Sequence, residues 1–224
     1  MLAINDLRYQ EKFRVKDFAL DSFGISVEFG PLESTGGKVW DAAIAFRYFL
    51  NELPEFLQGG LRVLELGSGC GWLGMSLAKE RKDLEVVMSE RPAFGALDWL
   101  QHNIDLNPGL QVKAIELDWA AVSPDICAKK WDIIVGSELV YSYVGAKLLA
   151  HAVSMLLYRP DSVFFYAHSM NRFESVDEYM LEQFKENHLH VEFVYGKEKL
   201  NHDPGLFTEL FPELQLVILR ITKY

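Results

Sequence analysis

The run Val63-Leu64-Glu65-Leu66-Gly67-Ser68-Gly69-Cys70-Gly71 constrains this chain more than any other feature. An apolar segment that runs straight into alternate glycines predicts a strand, a tight loop and then a helix from Trp72. Glycine at 67, 69 and 71 lets the loop backbone turn sharply and approach a ligand with no Cβ in the way. The helix N-terminus turns its N–H groups toward the same ligand. Such a loop holds a nucleotide cofactor. A dinucleotide fingerprint, G-x-G-x-x-G, would place its third glycine at position 72, which is Trp72. Glu65, two residues before the first glycine, matches instead the acid of S-adenosylmethionine sites, where a carboxylate faces the cationic methionine end of the cofactor.

The chain of 224 residues is half hydrophobic, enough for one substantial core, so a single domain over 1–224 is expected. A formal charge of −10 argues against nucleic-acid partners, whose sequence-independent affinity needs clustered Lys and Arg. Two cysteines, Cys70 and Cys127, make neither a disulfide framework nor a zinc pattern. Apart from His188-x-His190, at a helix-to-strand boundary, the six histidines lack metal-ligand spacing, and no metal is expected; they read as surface or packing residues. Met1–Leu20 is interrupted by charges and carries no signal-peptide core. Lys147 and His151 break the apolar stretch Leu139–Tyr158, so no membrane span is expected and the location reads as cytoplasmic.

Downstream of the glycine loop, β-rich runs alternate with amphipathic stretches of helix length, the pattern of an α/β fold. Strands are predicted at Arg62–Leu66, Glu85–Ser89, Val112–Leu117, Asp132–Gly136, Ser162–Ala167, His190–Tyr195 and Leu214–Ile221. Helices are predicted at Trp72–Arg81, Ala93–Asn107, Ala120–Ala128, Val144–Tyr158 and Ser175–Asn187. Phe94, Leu97, Leu100 and Ile104 recur at helical steps and predict one buried face. The last two strands are joined by a loop, not a helix, and should pair antiparallel. Phe18–Leu20 and Ile25–Phe29 flank a turn-forming tetrapeptide and suggest an N-terminal β-hairpin. Residues 1–50 then form the hairpin and a covering helix, and 51–224 the core.

Four further constellations stand out, three at predicted strand ends and one before a helix. Glu90 closes the second strand, where an acid accepts both hydroxyls of a ribose. Asp118 and Trp119 follow the third, where an indole lies against adenine and a carboxylate accepts from its amine. Ser137, Glu138 and Tyr141 follow the fourth, beside the glycine loop. Glu138 and Tyr141, three residues apart in a turn, reach one small pocket; the alternative is a capping acid and a packed phenol. Trp40 and Asp41 precede a helix, and either start it or, through Trp40, cover the cofactor.

Taken together, Gly37–Ala43, Val63–Gly71, Ser89-Glu90-Arg91-Pro92, Leu117-Asp118-Trp119 and Gly136–Tyr141 resemble the seven-β-strand protein-lysine methyltransferases of the methyltransferase-16 group. That group includes enzymes acting on an AAA ATPase (valosin-containing protein), on heat-shock chaperones and on translation elongation factors. The resemblance implies a class I, Rossmann-like methyltransferase fold, a mostly parallel seven-stranded sheet with its last strand antiparallel and helices on both faces. It implies that Trp40, the Gly67-Ser68-Gly69 loop, Glu90, Trp119 and Ser137 hold S-adenosylmethionine, leaving S-adenosylhomocysteine as product; Arg91 beside Glu90 and Asp118 beside Trp119 are expected at the same site. The family's D-x-x-Y element falls on Glu138–Tyr141, with Glu in place of Asp here and again at 90, and Ala120 where Gly usually follows the tryptophan.

The implied reaction is in-line attack of a neutral lysine ε-amine on the sulfonium methyl, with Glu138 orienting the amine and Tyr141 narrowing the pocket. Three rivals share the scaffold: a small-molecule N-methyltransferase, a non-catalytic cofactor-binding module and, least compatible with Trp72, a nicotinamide oxidoreductase. An open channel near Glu138 separates the first rival from a protein-modifying enzyme.

Overall fold

In a computed structural model the described residues are 23–29, 37–170, 174–195 and 215–224. Seven strands form one sheet: β1 (Arg62–Leu66), β2 (Glu85–Glu90), β3 (Val112–Glu116), β4 (Ile133–Ser137), β5 (Val163–Ser169), β6 (Leu189–Tyr195) and β7 (Leu216–Lys223). Their spatial order is β3-β2-β1-β4-β5-β7-β6. All neighbours from β3 to β5 pair parallel, and β7 runs antiparallel to both β5 and β6, as expected from the loop connection. The chain winds outward from β1 through β2 to β3, then returns to place β4 on β1's other side. That reversal opens a crevice at the carboxyl ends of β1 and β4.

Successive side chains in a strand face opposite ways, and here both faces are covered. Val63, Ile133, Val135, Phe165 and Ala167 meet α1 (Asp41–Leu50) and α2 (Trp72–Glu80), together with Leu100 of α3 (Ala96–Asp105). Leu64, Leu66, Ile134, Phe164 and Tyr166 meet α5 (Tyr143–Leu156) and α6 (Glu174–Glu186), which follow the short α4 (Pro124–Cys127). Ser142 starts α5 by accepting from Gly145 N at 3.1 Å, one of the donors a helix N-terminus leaves unpaired. The fully buried Arg47 ties α1 to α2 through Ser76 Oγ at 3.0 Å and an ion pair with Glu80.

The expected helix over 93–107 starts late. Phe94 (φ 60°) and Gly95 (φ 72°) are both left-handed, so a 3₁₀ turn precedes the helix proper. Phe94 therefore leaves the predicted buried face and is 85% exposed, whereas Leu100 is fully buried. The first arm of the expected hairpin lies outside the described residues. Its expected second arm, Ile25–Phe29, lies outside any strand and is clamped to α3 and the turn after it: Asn107 exchanges hydrogen bonds with Ser26 (2.9 and 2.6 Å) and Asn103 with Glu28 (2.7 and 3.2 Å). Two side-chain amides thus imitate a strand ladder. None of the helices among the described residues is long and apolar enough to cross a membrane.

Candidate active site

The crevice at the carboxyl edge of β1, β2 and β4 gathers most of the expected residues. Gly67, Gly69 and Gly71 all have positive φ (56°, 55° and 81°), so the loop takes the conformation its glycines permit. A Cβ on Gly67 would stand 2.7 Å from Leu139 Cδ2 and 3.7 Å from Trp119 Cζ2. The turn after β4 and the indole after β3 therefore both close on the glycine loop. Trp72 begins α2 fully buried, its ring 5.4 Å from Phe23 in an edge-on contact. Position 72 belongs to the core and not to a third phosphate-binding glycine.

Buried hydrogen bonds pin the loop to β2. Ser68 N donates to Ser89 O at 3.0 Å, Ser68 Oγ accepts from Ser89 N at 3.1 Å, and Ser89 Oγ donates to Glu65 O at 2.7 Å. The hydroxyl of Ser68 thus faces the seam between β1 and β2. Glu90 accepts from Gly69 N at 2.8 Å through Oε1 and from Arg91 N at 3.1 Å through Oε2. A carboxylate offers about four lone-pair positions, so both oxygens keep capacity for ribose hydroxyls. Burial raises the Glu90 carboxyl above its ordinary pKa, opposed by those two N–H donors. Arg91 is exposed, with its guanidinium 5.0 Å from the Phe94 ring centre.

Glu65 turns its carboxyl into the first turn of α2, accepting from Gly74 N at 3.1 Å. Burial pushes that carboxyl up to about 8, so in the protein alone it is mostly protonated at neutral pH. Cys70, in the same loop, is pushed by burial to about 12 and is no nucleophile. Asp118 is exposed and accepts from Ala120 N at 2.9 Å, a turn-forming bond. Trp40 is the residue before α1, its ring under Lys38 Nζ at 4.1 Å. Asp41 occupies the first turn of that helix.

The turn after β4 is held from β5. Glu138 is left-handed (φ 52°), donates its N–H to Ala167 O at 3.0 Å, and accepts at Oε1 from Ser169 N (2.9 Å) and Ser169 Oγ. Tyr166 Oη accepts from Leu139 N and Val140 N, each at 3.1 Å. Tyr166 also bonds His168 Nδ1 at 2.9 Å, and His168 Nε2 bonds Asp177 Oδ1 at 2.8 Å. His168, read from the sequence as an ordinary histidine, is buried at 2% exposure within this chain. The available signal was alternation: Phe164, Tyr166 and His168 share one strand face, and two polar residues there interrupt an apolar stripe. Ser137 Oγ is buried with no hydrogen-bond partner among the described residues, while Tyr141, four residues on, is 53% exposed. No cluster of metal-ligating side chains occurs among the described residues.

Residues 20–187 match the family model described as lysine methyltransferase, most of the chain. The chain belongs to the lysine methyltransferase family. An Arabidopsis thaliana calmodulin-lysine N-methyltransferase is 32% identical over 172 residues, 73% of this family member and 54% of the plant protein. The mouse EEF1A lysine methyltransferase 3 is 27% identical over 187 residues, covering 82% and 77% of the two chains. This lysine methyltransferase family member thus spans about half the length of the plant relative. Among solved structures, a glycopeptide N-methyltransferase superposes with TM-score 0.61 at 11% identity, covering 95% of this chain and 99% of that one. That likeness identifies the class I methyltransferase fold, as the order of the strands does.

Proposed function

We propose that the chain is an S-adenosylmethionine-dependent methyltransferase that modifies a lysine ε-amine of a protein substrate. The observation that carries the reading is the convergence of the glycine loop, Trp119 and the Glu138–Tyr141 turn on one crevice. The unpartnered, buried Ser137 hydroxyl fits a cofactor polar group at that place. In this reading Gly67, Ser68 and Gly69 form the cradle, Glu90 takes the ribose hydroxyls beside Arg91, Trp119 and Asp118 border the adenine, and Trp40 covers the site. Glu65, expected to face the methionine end, instead holds the first turn of α2 through its bond to Gly74 N. The related glycopeptide N-methyltransferase has been solved with S-adenosylmethionine, which supports the choice of cofactor.

The cofactor supplies an electrophilic methyl group; the chain's own residues prepare the amine. A lysine amine has a reference pKa near 10.4 and must lose a proton before it attacks. Desolvation in the crevice favours that loss, and Glu138, oriented by Ser169, accepts a hydrogen bond from the amine. Tyr141 narrows the approach. Holding the two reactants at attack distance supplies most of the acceleration, roughly 7–11 kcal/mol in well-oriented systems.

A protein substrate fits the exposure of Tyr141, Tyr143 and Val144, which follow β4 along the chain. The substrate classes in view are a translation factor, a chaperone or an AAA ATPase, and the mouse relative's name supports the first. Two free cysteines suit the reducing cytoplasm as the place of action. Incubating the chain with tritiated S-adenosylmethionine and cell lysate tests the function. Label recovered as methyl-lysine after protein hydrolysis supports it, and label confined to small molecules refutes it.

A further inference from the structure

Donor counting in the buried chain behind Glu138 gives it a direction. Tyr166 Oη accepts two backbone N–H bonds, from Leu139 and Val140, and a phenol oxygen has two lone pairs. What remains is its own proton, and the one further partner at 2.9 Å is His168 Nδ1, which must accept it. The imidazole is then neutral with its proton on Nε2, where it donates to Asp177 Oδ1 at 2.8 Å. Tyr166, His168 and Asp177 are exposed by 0%, 2% and 2%, so solvent does not stand in for a lost partner. Burial, reinforced by the Glu138 charge, holds the Tyr166 phenol well above its usual pKa and keeps the proton it donates.

We propose that Asp177, His168 and Tyr166 form a one-way hydrogen-bond relay that locks the Glu138–Tyr141 turn into its transfer geometry, making all three positioning residues for methyl transfer. It rests on the reading of Glu138 and Tyr141 as the groups that handle the amine. Glu138 needs such a lock. A left-handed conformation is unfavourable for a residue with a Cβ and persists only where neighbours over-determine it. The lock is supplied by β5: Ala167 O and Ser169 hold Glu138 itself, and Tyr166 holds the next two backbone N–H groups. Asp177, on α6, fixes the imidazole ring that in turn fixes the phenol. Asp177, three hydrogen bonds from the turn, thus steadies the backbone between Glu138 and Tyr141.

The test uses the full chain and three readouts. Nitrogen NMR of the His168 imidazole should show the neutral tautomer protonated at Nε2; an imidazolium or a proton on Nδ1 overturns the relay. Tyr166→Phe and Asp177→Ala should speed amide exchange at Leu139 and Val140 by about tenfold or more while Ile134 and Val135 stay protected. Unchanged exchange at 139 and 140 in folded Asp177→Ala overturns it too. Both variants should lower kcat by about 10- to 100-fold with S-adenosylhomocysteine affinity within about threefold of the parent. His168→Asn, whose amide oxygen replaces Nδ1 as acceptor, should recover part of the kcat lost in His168→Ala. Equal loss in both, or a kcat unchanged in the folded variants, makes the network merely structural. The first two readouts need no substrate, so they judge the relay even where the methyl group goes to something other than lysine, an outcome that sinks the lysine reading alone.

Discussion

Gly67→Ala should be unusually costly, and most of the reason lies in Leu139. Gly67 sits at φ 56°, where a residue with a Cβ loses about 1–2 kcal/mol relative to glycine. The new Cβ would also stand 2.7 Å from Leu139 Cδ2. Leu139 has little room to retreat: it is buried, and its Cδ1 fills the notch at Gly136, where a Cβ would stand at 2.6 Å. Overpacking of this kind costs about 1–3 kcal/mol, so the single substitution should lose about 2–5 kcal/mol in all. Leu139→Ala alone should lose about 2–5 kcal/mol through the cavity it leaves. Combined, the overlap vanishes while the left-handed cost stays, and the double variant should be about 1–3 kcal/mol more stable than the sum of the singles predicts. Urea unfolding followed by tryptophan fluorescence measures all four proteins. Additivity within about 0.5 kcal/mol would show that Leu139 does not fill the space beside Gly67. It would also remove the physical link between the glycine loop and the Glu138 turn.

Trp119→Ala should weaken S-adenosylhomocysteine binding by about 1–3 kcal/mol, as for other aromatic–base stacks, since the half-buried indole borders the glycine loop. Calorimetry that finds unchanged affinity with a large drop in Tm would make Trp119 a packing residue. Glu65 should give the cofactor-free protein a distinctive pH dependence. With its carboxyl near 8 in the folded state against 4.5 for a free one, the folded chain binds more protons between those values, and stability from this group falls as pH rises from 4.5 to 8. Glu65→Gln should therefore gain stability relative to the parent across that window, by a few kcal/mol in order of magnitude. Parallel stability curves for the two proteins between pH 5 and 8, each read by urea unfolding, would refute the buried, protonated carboxyl.

The central strands were legible because their residues are apolar on both faces, the edge strands β3 and β6 because apolar residues alternate with polar ones, and turn residues bound them all. All seven appeared close to their expected bounds, with β7 shifted to Leu216–Lys223 from the expected Leu214–Ile221. The glycine loop and the acid at the end of β2 were legible for a local reason: spacing sets their backbone path. The start of α3 was not, since the left-handed pair Phe94 and Gly95 interrupts a helical period that apolar spacing alone continues. Glu65 gave its position but not its direction; the bond to Gly74 N depends on how α2 lies over β1. The His168 chain joins β5 to α6 and to the turn after β4, three elements brought together by the fold. A period-two stripe marks such a face without revealing its partners.

The claim that the turn after β4 transfers the methyl group is tested most directly by comparing the parent with Glu138→Gln and Tyr141→Phe at saturating cofactor. The labelled protein from the lysate serves as substrate, and mass spectrometry locates the product. Methyl groups are expected on a lysine ε-nitrogen, with both variants slowed in kcat and kcat/KM together while their S-adenosylhomocysteine affinity stays near the parent's. Transfer at the parent rate by both variants would contradict the claim.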